Sequence, residues 1–221
     1  MMIIIGLTGS IAMGKSTVGA MLHNMGVPVH ESDHAVHDLL SDPRSPARPA
    51  IAAAFPLYEY PQIFDRKTKE INRTELGALV FNNQEHRETL EGILHPLVQI
   101  RQTDFIRAQM LKGRKMVCLD IPLLFETGAQ NRVDYTFVAS APYDVQKSRA
   151  LSRPNMSEEK FHAILDRQMP DGEKCVLADY VIKTGLSRAH TMKELKLALL
   201  DIRKKECLIP EEESDDFQSP I

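Results

Sequence analysis

Short apolar runs and helix-spaced apolar positions alternate along this chain, and their order predicts an α/β fold. Ile3, Ile4, Ile5 and Leu7 form an apolar run bounded by glycine, the pattern of a strand buried on both faces of a parallel sheet. Further runs at Val27–His30, Met116–Ile121, Tyr135–Ala139 and Tyr180–Ile182 predict four more strands. Between the first two runs, Val18, Met21, Leu22 and Met25 follow an i, i+3, i+4, i+7 spacing, and Gly26 stands where a helix takes its C-terminal glycine. Strand, helix and strand in that order predict a βαβ unit, a parallel sheet and right-handed crossovers.

The stretch from about residue 35 to 111 carries helix-spaced apolar residues, with Leu76, Leu79 and Val80 followed by Leu90, Ile93 and Leu94. It is too long for a plain crossover and predicts an inserted helical subdomain, with Pro43–Pro61 as loop plus one short helix. A second insertion covers 149–174, and a last helix places Met192, Leu195, Leu199 and Ile202 on one face. The expected organisation is a sheet core from 1–34, 112–148 and 175–209, a helical insertion at 35–111, a second insertion at 149–174 and a disordered acidic tail at 210–221.

Composition narrows the function classes. A net charge of -3 over 221 residues gives no global attraction to nucleic acid or to an anionic membrane, so any phosphate site must concentrate its donors locally. No apolar run approaches the roughly 18 residues of a membrane span. Three widely spaced cysteines, Cys118, Cys175 and Cys207, offer no paired metal or redox motif and fit a reducing, cytoplasmic compartment. No obligate protein partner is evident.

The strongest chemical signal is Gly9-Ser10-Ile11-Ala12-Met13-Gly14-Lys15-Ser16, which fits G-x-x-x-x-G-K-[ST] between a predicted strand and an amphipathic helix. Such a loop turns successive N–H groups into one concavity, and the helix that follows adds its partial positive charge. Lys15, expected at the exposed mouth of the loop, would neutralise β- and γ-phosphate oxygens, and the Ser16 hydroxyl would ligate Mg²⁺. Thr17 completes the expected ATP-binding stretch. The cradle alone does not separate kinases from GTPases and motors.

Further candidates follow from position. Asp33 lies just after the second strand, where a carboxylate accepts a proton from an attacking hydroxyl, helps hold Mg²⁺ or caps a helix starting near Ala35. Asp120 ends the apolar run Met116–Leu119 and either orients Mg²⁺ through water or serves as a turn residue before Pro122. Arg149 and Arg153 are four apart at the end of a predicted helix that Pro154 breaks, and Arg167 follows on another helix with Phe161, Ile164 and Leu165. Guanidinium groups on such a segment suit a lid over transferring phosphates, or else form a solvated basic face. His95 precedes Pro96, a favoured first helical residue, and reads as a helix-start residue or a ligand contact.

The segment order resembles the dephospho-coenzyme A kinase family over roughly Met1 to Ala198. The matching stretches are Ile5-Gly6-Leu7-Thr8 running into the P-loop, Gly26-Val27-Pro28-Val29 with Ser32-Asp33, Ile71-Asn72-Arg73, Leu94-His95-Pro96, Asp120-Ile121-Pro122-Leu123-Leu124-Phe125-Glu126 and Ala178-Asp179-Tyr180-Val181-Ile182. The resemblance implies a P-loop core with a helical CoA-binding subdomain and a lid, and ATP-dependent phosphorylation of the ribose 3′-hydroxyl of dephospho-CoA. It further implies that Asp33 is the general base, that Arg73, His95 and the turn Pro122, Leu123, Leu124 and Glu126 face the acceptor, and that Arg149 and Arg153 face the ATP phosphates.

Two departures stand out. Phe55-Pro56 and the stretch Leu57–Gln62 replace the family's usual phenylalanine and glycine, and Lys183-Thr184 replaces its usual asparagine. Another P-loop small-molecule kinase, acting on a nucleoside or a nucleoside monophosphate, shares the cradle, insertion and lid. A GTPase switch is a more distant alternative, since the guanine-reading N-K-x-D pattern is absent.

Overall fold

The computed structural model describes residues 2–65, 68 and 70–208; the expected acidic tail lies outside them. The chain divides into two compact units, one drawn from Met1–Val29 and Lys115–Ile221 and the other His30–Arg114.

The first unit is built on β1 (Ile3–Thr8), β3 (Met116–Asp120), β4 (Tyr135–Ser140) and β5 (Tyr180–Lys183). Strand order is β2-β3-β1-β4-β5, with β2 at Val29–Glu31, and β3, β1, β4 and β5 pair in parallel. The expected second strand at 27–30 starts later because Pro28 has no N–H for a ladder. Its carbonyl still accepts from Cys118 N–H at 2.8 Å.

Both sheet faces are covered, as the continuous apolar run of β1 requires. Ile3, Ile5 and Leu7 pack with Val18 and Leu22 of α1 (Lys15–Asn24) and with Leu195, Leu199 and Ile202 of α9 (Arg188–Lys205). On the other face Leu124, Phe125, Ala129 and Val138 form a second cluster. There a Cβ at Gly6 would meet Val133 at 3.0 Å and Leu124 at 3.2 Å. Between β4 and β5 lie α6 (Tyr143–Leu151), α7 (Glu158–Leu165) and α8 (Asp171–Leu177).

The second unit contains α2 (Ser32–Ser41), α3 (Ala47–Ala54), α4 (Arg73–Asn82) and α5 (Gln84–Leu111). Leu90, Leu94 and Val98 line one face of α5 and pack with Leu39, Ile51, Phe55, Ile63 and Leu76. Phe55, the residue at the first sequence departure, is fully buried and meets Tyr60 and His86 edge-on, each at 5.7 Å. Asn83 caps α5 by accepting from His86 N–H at 3.1 Å.

The expectation that Pro96 opens a helix is corrected: α5 runs through it for 28 residues. Proline removes one donor, and its ring crowds the carbonyl four residues earlier. That residue is Gly92, and the apolar contacts on both sides of the proline keep the helix continuous.

Candidate active site

The P-loop leaves the carboxyl end of β1 and enters α1. At Gly9 a Cβ would lie 2.7 Å from the Ala139 carbonyl oxygen, so only glycine lets the loop pass this close to β4. Gly14 caps α1 with φ 85°, in the left-handed region that favours glycine, and its carbonyl accepts from Thr17 N–H at 3.0 Å and Val18 N–H at 3.2 Å. The first-turn N–H groups at Lys15 and Ser16 have no earlier helical turn to bond to and are offered to a ligand. Ser16 is exposed.

Side chains hold the rest of the loop. Ile11 N–H donates to Gln168 Oε1 at 2.9 Å, and Gln146 Nε2 donates to the Ile11 carbonyl at 2.9 Å. Ala141 N–H donates to Met13 Sδ at 3.2 Å. Ala12 is buried against Ala150 and Phe161, so α7 packs on the loop itself. Beside it Ser10, Met13, Gln146, Gln168 and Asp171 line a cavity of about 490 Å³.

Lys15 does not stand at an exposed mouth: its side chain is 16% exposed and its ammonium pairs with Asp120 Oδ1 at the end of β3. Asp120 is itself buried at the end of β3. Burial, and then the Asp120 charge, push the neighbouring Cys118 thiol far above its ordinary range. Cys118 is therefore a neutral core residue and no nucleophile. Cys175 is half-buried, with its thiol also raised by burial, and Cys207 is exposed.

Around the turn after β3, Thr8 Oγ1 donates to the Pro122 carbonyl at 2.9 Å. Pro122 and Leu123 are partly exposed, and the Leu124 side chain is fully buried in the core. Glu126 is engaged within the protein: its Oε1 accepts from Met169 N–H at 2.9 Å and lies 2.7 Å from the buried ammonium of Lys174.

Arg149 is in the last turn of α6, and its guanidinium donates to Thr184 at two atoms. Arg153 lies beyond the helix, which ends at Leu151, rather than on a shared helical face; Arg167 likewise follows α7 instead of belonging to it. Both are exposed.

Asp33, Arg73 and His95 belong to the second unit. Asp33 sits in the first turn of α2, after the cap residue Glu31, so its reading as the cap of a helix starting near Ala35 is corrected. It is exposed, as are Arg73 at the start of α4 and His95 within α5.

The sequence model of the dephospho-CoA kinase family matches residues 3–188. The chain belongs to that family. Within it, the dephospho-CoA kinase of Novosphingobium aromaticivorans is 46% identical over 202 residues, covering 91% of this chain and 96% of the relative. That of Agrobacterium fabrum is 47% identical over 185 residues, covering 84% and 90%. Among solved structures, the dephospho-CoA kinase from Campylobacter jejuni has a TM-score of 0.65 at 29% identity, covering 93% of this chain and all of that one. A Thermus thermophilus structure reaches 0.71 at 30% identity, covering 91% and 97%.

Family membership selects among the chemistries a P-loop permits, but several residues that shape the loop here carried no local signal. Gln146 and Gln168 sit in polar stretches whose spacing does not set them apart. Thr184 is marked in the sequence only as a departure from asparagine.

Proposed function

We propose that this chain transfers the γ-phosphoryl group of ATP to the ribose 3′-hydroxyl of dephospho-CoA, giving coenzyme A and ADP. One structural observation carries the phosphoryl-transfer half of the reading: a glycine-shaped loop from β1 to α1 that holds Lys15 beside Asp120. Family membership supplies the acceptor.

In this reading the first-turn N–H groups and Lys15 bind the β- and γ-phosphates, while Arg149 and Arg153 face the transferring group and offset its charge. Asp33 accepts the proton of the 3′-hydroxyl as its oxygen bonds to the γ-phosphorus. The bridging oxygen leaves with the electron pair on ADP. Arg73, His95 and the partly exposed Pro122 and Leu123 contact the acceptor. Ser16 and Asp120 present a hydroxyl and a carboxylate, the oxygen donors Mg²⁺ takes, and would hold that ion so that it neutralises phosphate charge. The reading places the activity in the cytoplasm. Among the described residues no helix is long and apolar enough to cross a membrane.

An acceptor screen with ATP and Mg²⁺ tests the proposal. Dephospho-CoA should be converted to coenzyme A with one ADP formed per product, while nucleosides and nucleoside monophosphates stay unmodified. Preferential phosphorylation of a nucleoside, or hydrolysis independent of any acceptor, would overturn it.

A further inference from the structure

Thr184 follows directly after β5 and touches two parts of the proposed phosphate site at once. Its hydroxyl donates to the Met13 carbonyl at 2.6 Å and accepts from Arg149 Nη1 at 3.1 Å. Arg149 Nη2 donates to the Thr184 carbonyl at 2.7 Å, and Thr184 N–H donates to the Ser140 carbonyl at 2.8 Å. The residue is 7% exposed, and a Cβ on Gly14 would lie 2.9 Å from its Oγ1. The P-loop therefore rests on this side chain one residue before Lys15.

A hydroxyl carries one proton and two lone pairs, whereas a guanidinium only donates. The Ser140 carbonyl, at 3.3 Å, is the more distant acceptor, so the proton points to Met13 and a lone pair faces Arg149. The direction of the chain is thereby set: Arg149 donates to Thr184, and Thr184 donates to the loop. A charged first donor strengthens the bond behind it.

We propose that Thr184 is a positioning residue for phosphoryl transfer, coupling the last turn of the P-loop to the Arg149 guanidinium so that the two are held as one unit. The inference rests on the reading that Arg149 faces the ATP phosphates. Asparagine, usual at this place in the resembled family, also offers one donor group and one acceptor. The exchange to threonine keeps both capacities on a shorter, branched side chain.

The test is a double-mutant cycle on kcat and on KM for ATP, using Thr184→Ala, Arg149→Ala and their combination, with Thr184→Ser as the conservative variant. Assays are run well below each variant's thermal midpoint. Thr184→Ala should lower kcat by about tenfold, the scale of one lost hydrogen bond to a charged group, and leave KM for dephospho-CoA unchanged. Thr184→Ser should recover to within about twofold of the parent, because the hydroxyl returns. In the Arg149→Ala background, removing the hydroxyl should cost less than about threefold, since the pair is already broken. An equal loss in both backgrounds would overturn the coupling and leave Thr184 as loop support alone. Impaired Arg149→Ala with unimpaired Thr184→Ala would sink this inference while sparing the phosphate reading; unimpaired Arg149→Ala would sink the phosphate reading itself. Should Thr184→Ala fail to fold, Thr184→Val keeps the branched shape, removes the hydroxyl and takes its place in the cycle.

Discussion

Asp33 carries the sharpest residue-scale prediction because its charge is separable from its structural surroundings. It is exposed in the first turn of α2, where a carboxylate gains only about 0.3 to 1 kcal/mol from the helix dipole. Asp33→Asn should therefore keep near-parental thermal stability and ATP affinity. Single-turnover phosphorylation of dephospho-CoA should fall by at least about 100-fold if the carboxylate takes the proton. Recovery at raised Mg²⁺ would make Asp33 a metal ligand instead, and a parental rate at ordinary Mg²⁺ would remove both roles. Lys15, by contrast, was legible as a cradle residue but not in its pairing. Asp120 is 105 positions away, and only the β1–β3 pairing, with Leu7 opposite Asp120, brings the two together. The contacts of Thr184 with Met13 and Arg149 span 171 and 35 positions, and no local pattern announces them.

Among the elements, the strands were the easiest to read, since burial on both faces demands unbroken apolar runs and the sequence has few. Boundaries set by proline were harder. Pro28 delays β2 because it lacks a donor, whereas Pro96 fails to end α5 because Leu90, Leu94 and Val98 pack on either side of it. Local proline rules give no weight to such packing. In the 149–174 segment, α7 is capped by Ser157 and lies on the P-loop through Phe161, and Gln168 and Met169 are hydrogen-bonded to Ile11 and Glu126. If the segment closes as a lid, amides between Arg153 and Gln168 should exchange most slowly when ATP and dephospho-CoA are both bound, beyond either alone. Hydrogen exchange by mass spectrometry reads this directly, and identical rates in free and doubly bound protein would count against closure.

At the scale of the whole molecule, two units with separate cores need not share one response to acid. His30, in the second unit, packs its ring 5.3 Å from that of Phe105 and keeps Nδ1 buried without a partner among the described residues. Burial lowers its pKa below the usual 6.5, against smaller raising effects of its own backbone and Glu31. The unfolded chain thus binds a proton more readily than the native one. This group's contribution is full above pH 6.5 and is lost as pH falls through that value towards the native pKa. His30→Phe should flatten the loss of stability of the second unit below pH 6.5, measured as amide exchange against pH; an unchanged slope would show that His30 does not titrate on unfolding. The uneven burial of the three cysteines has a practical side. Cys118 is sealed in the sheet and Cys175 is half-covered, both with raised thiols, while Cys207 stands open just past α9. A thiol-directed fluorophore should attach at that one address, and with no tryptophan in the chain to compete for excitation, the unaltered protein accepts a single optical reporter.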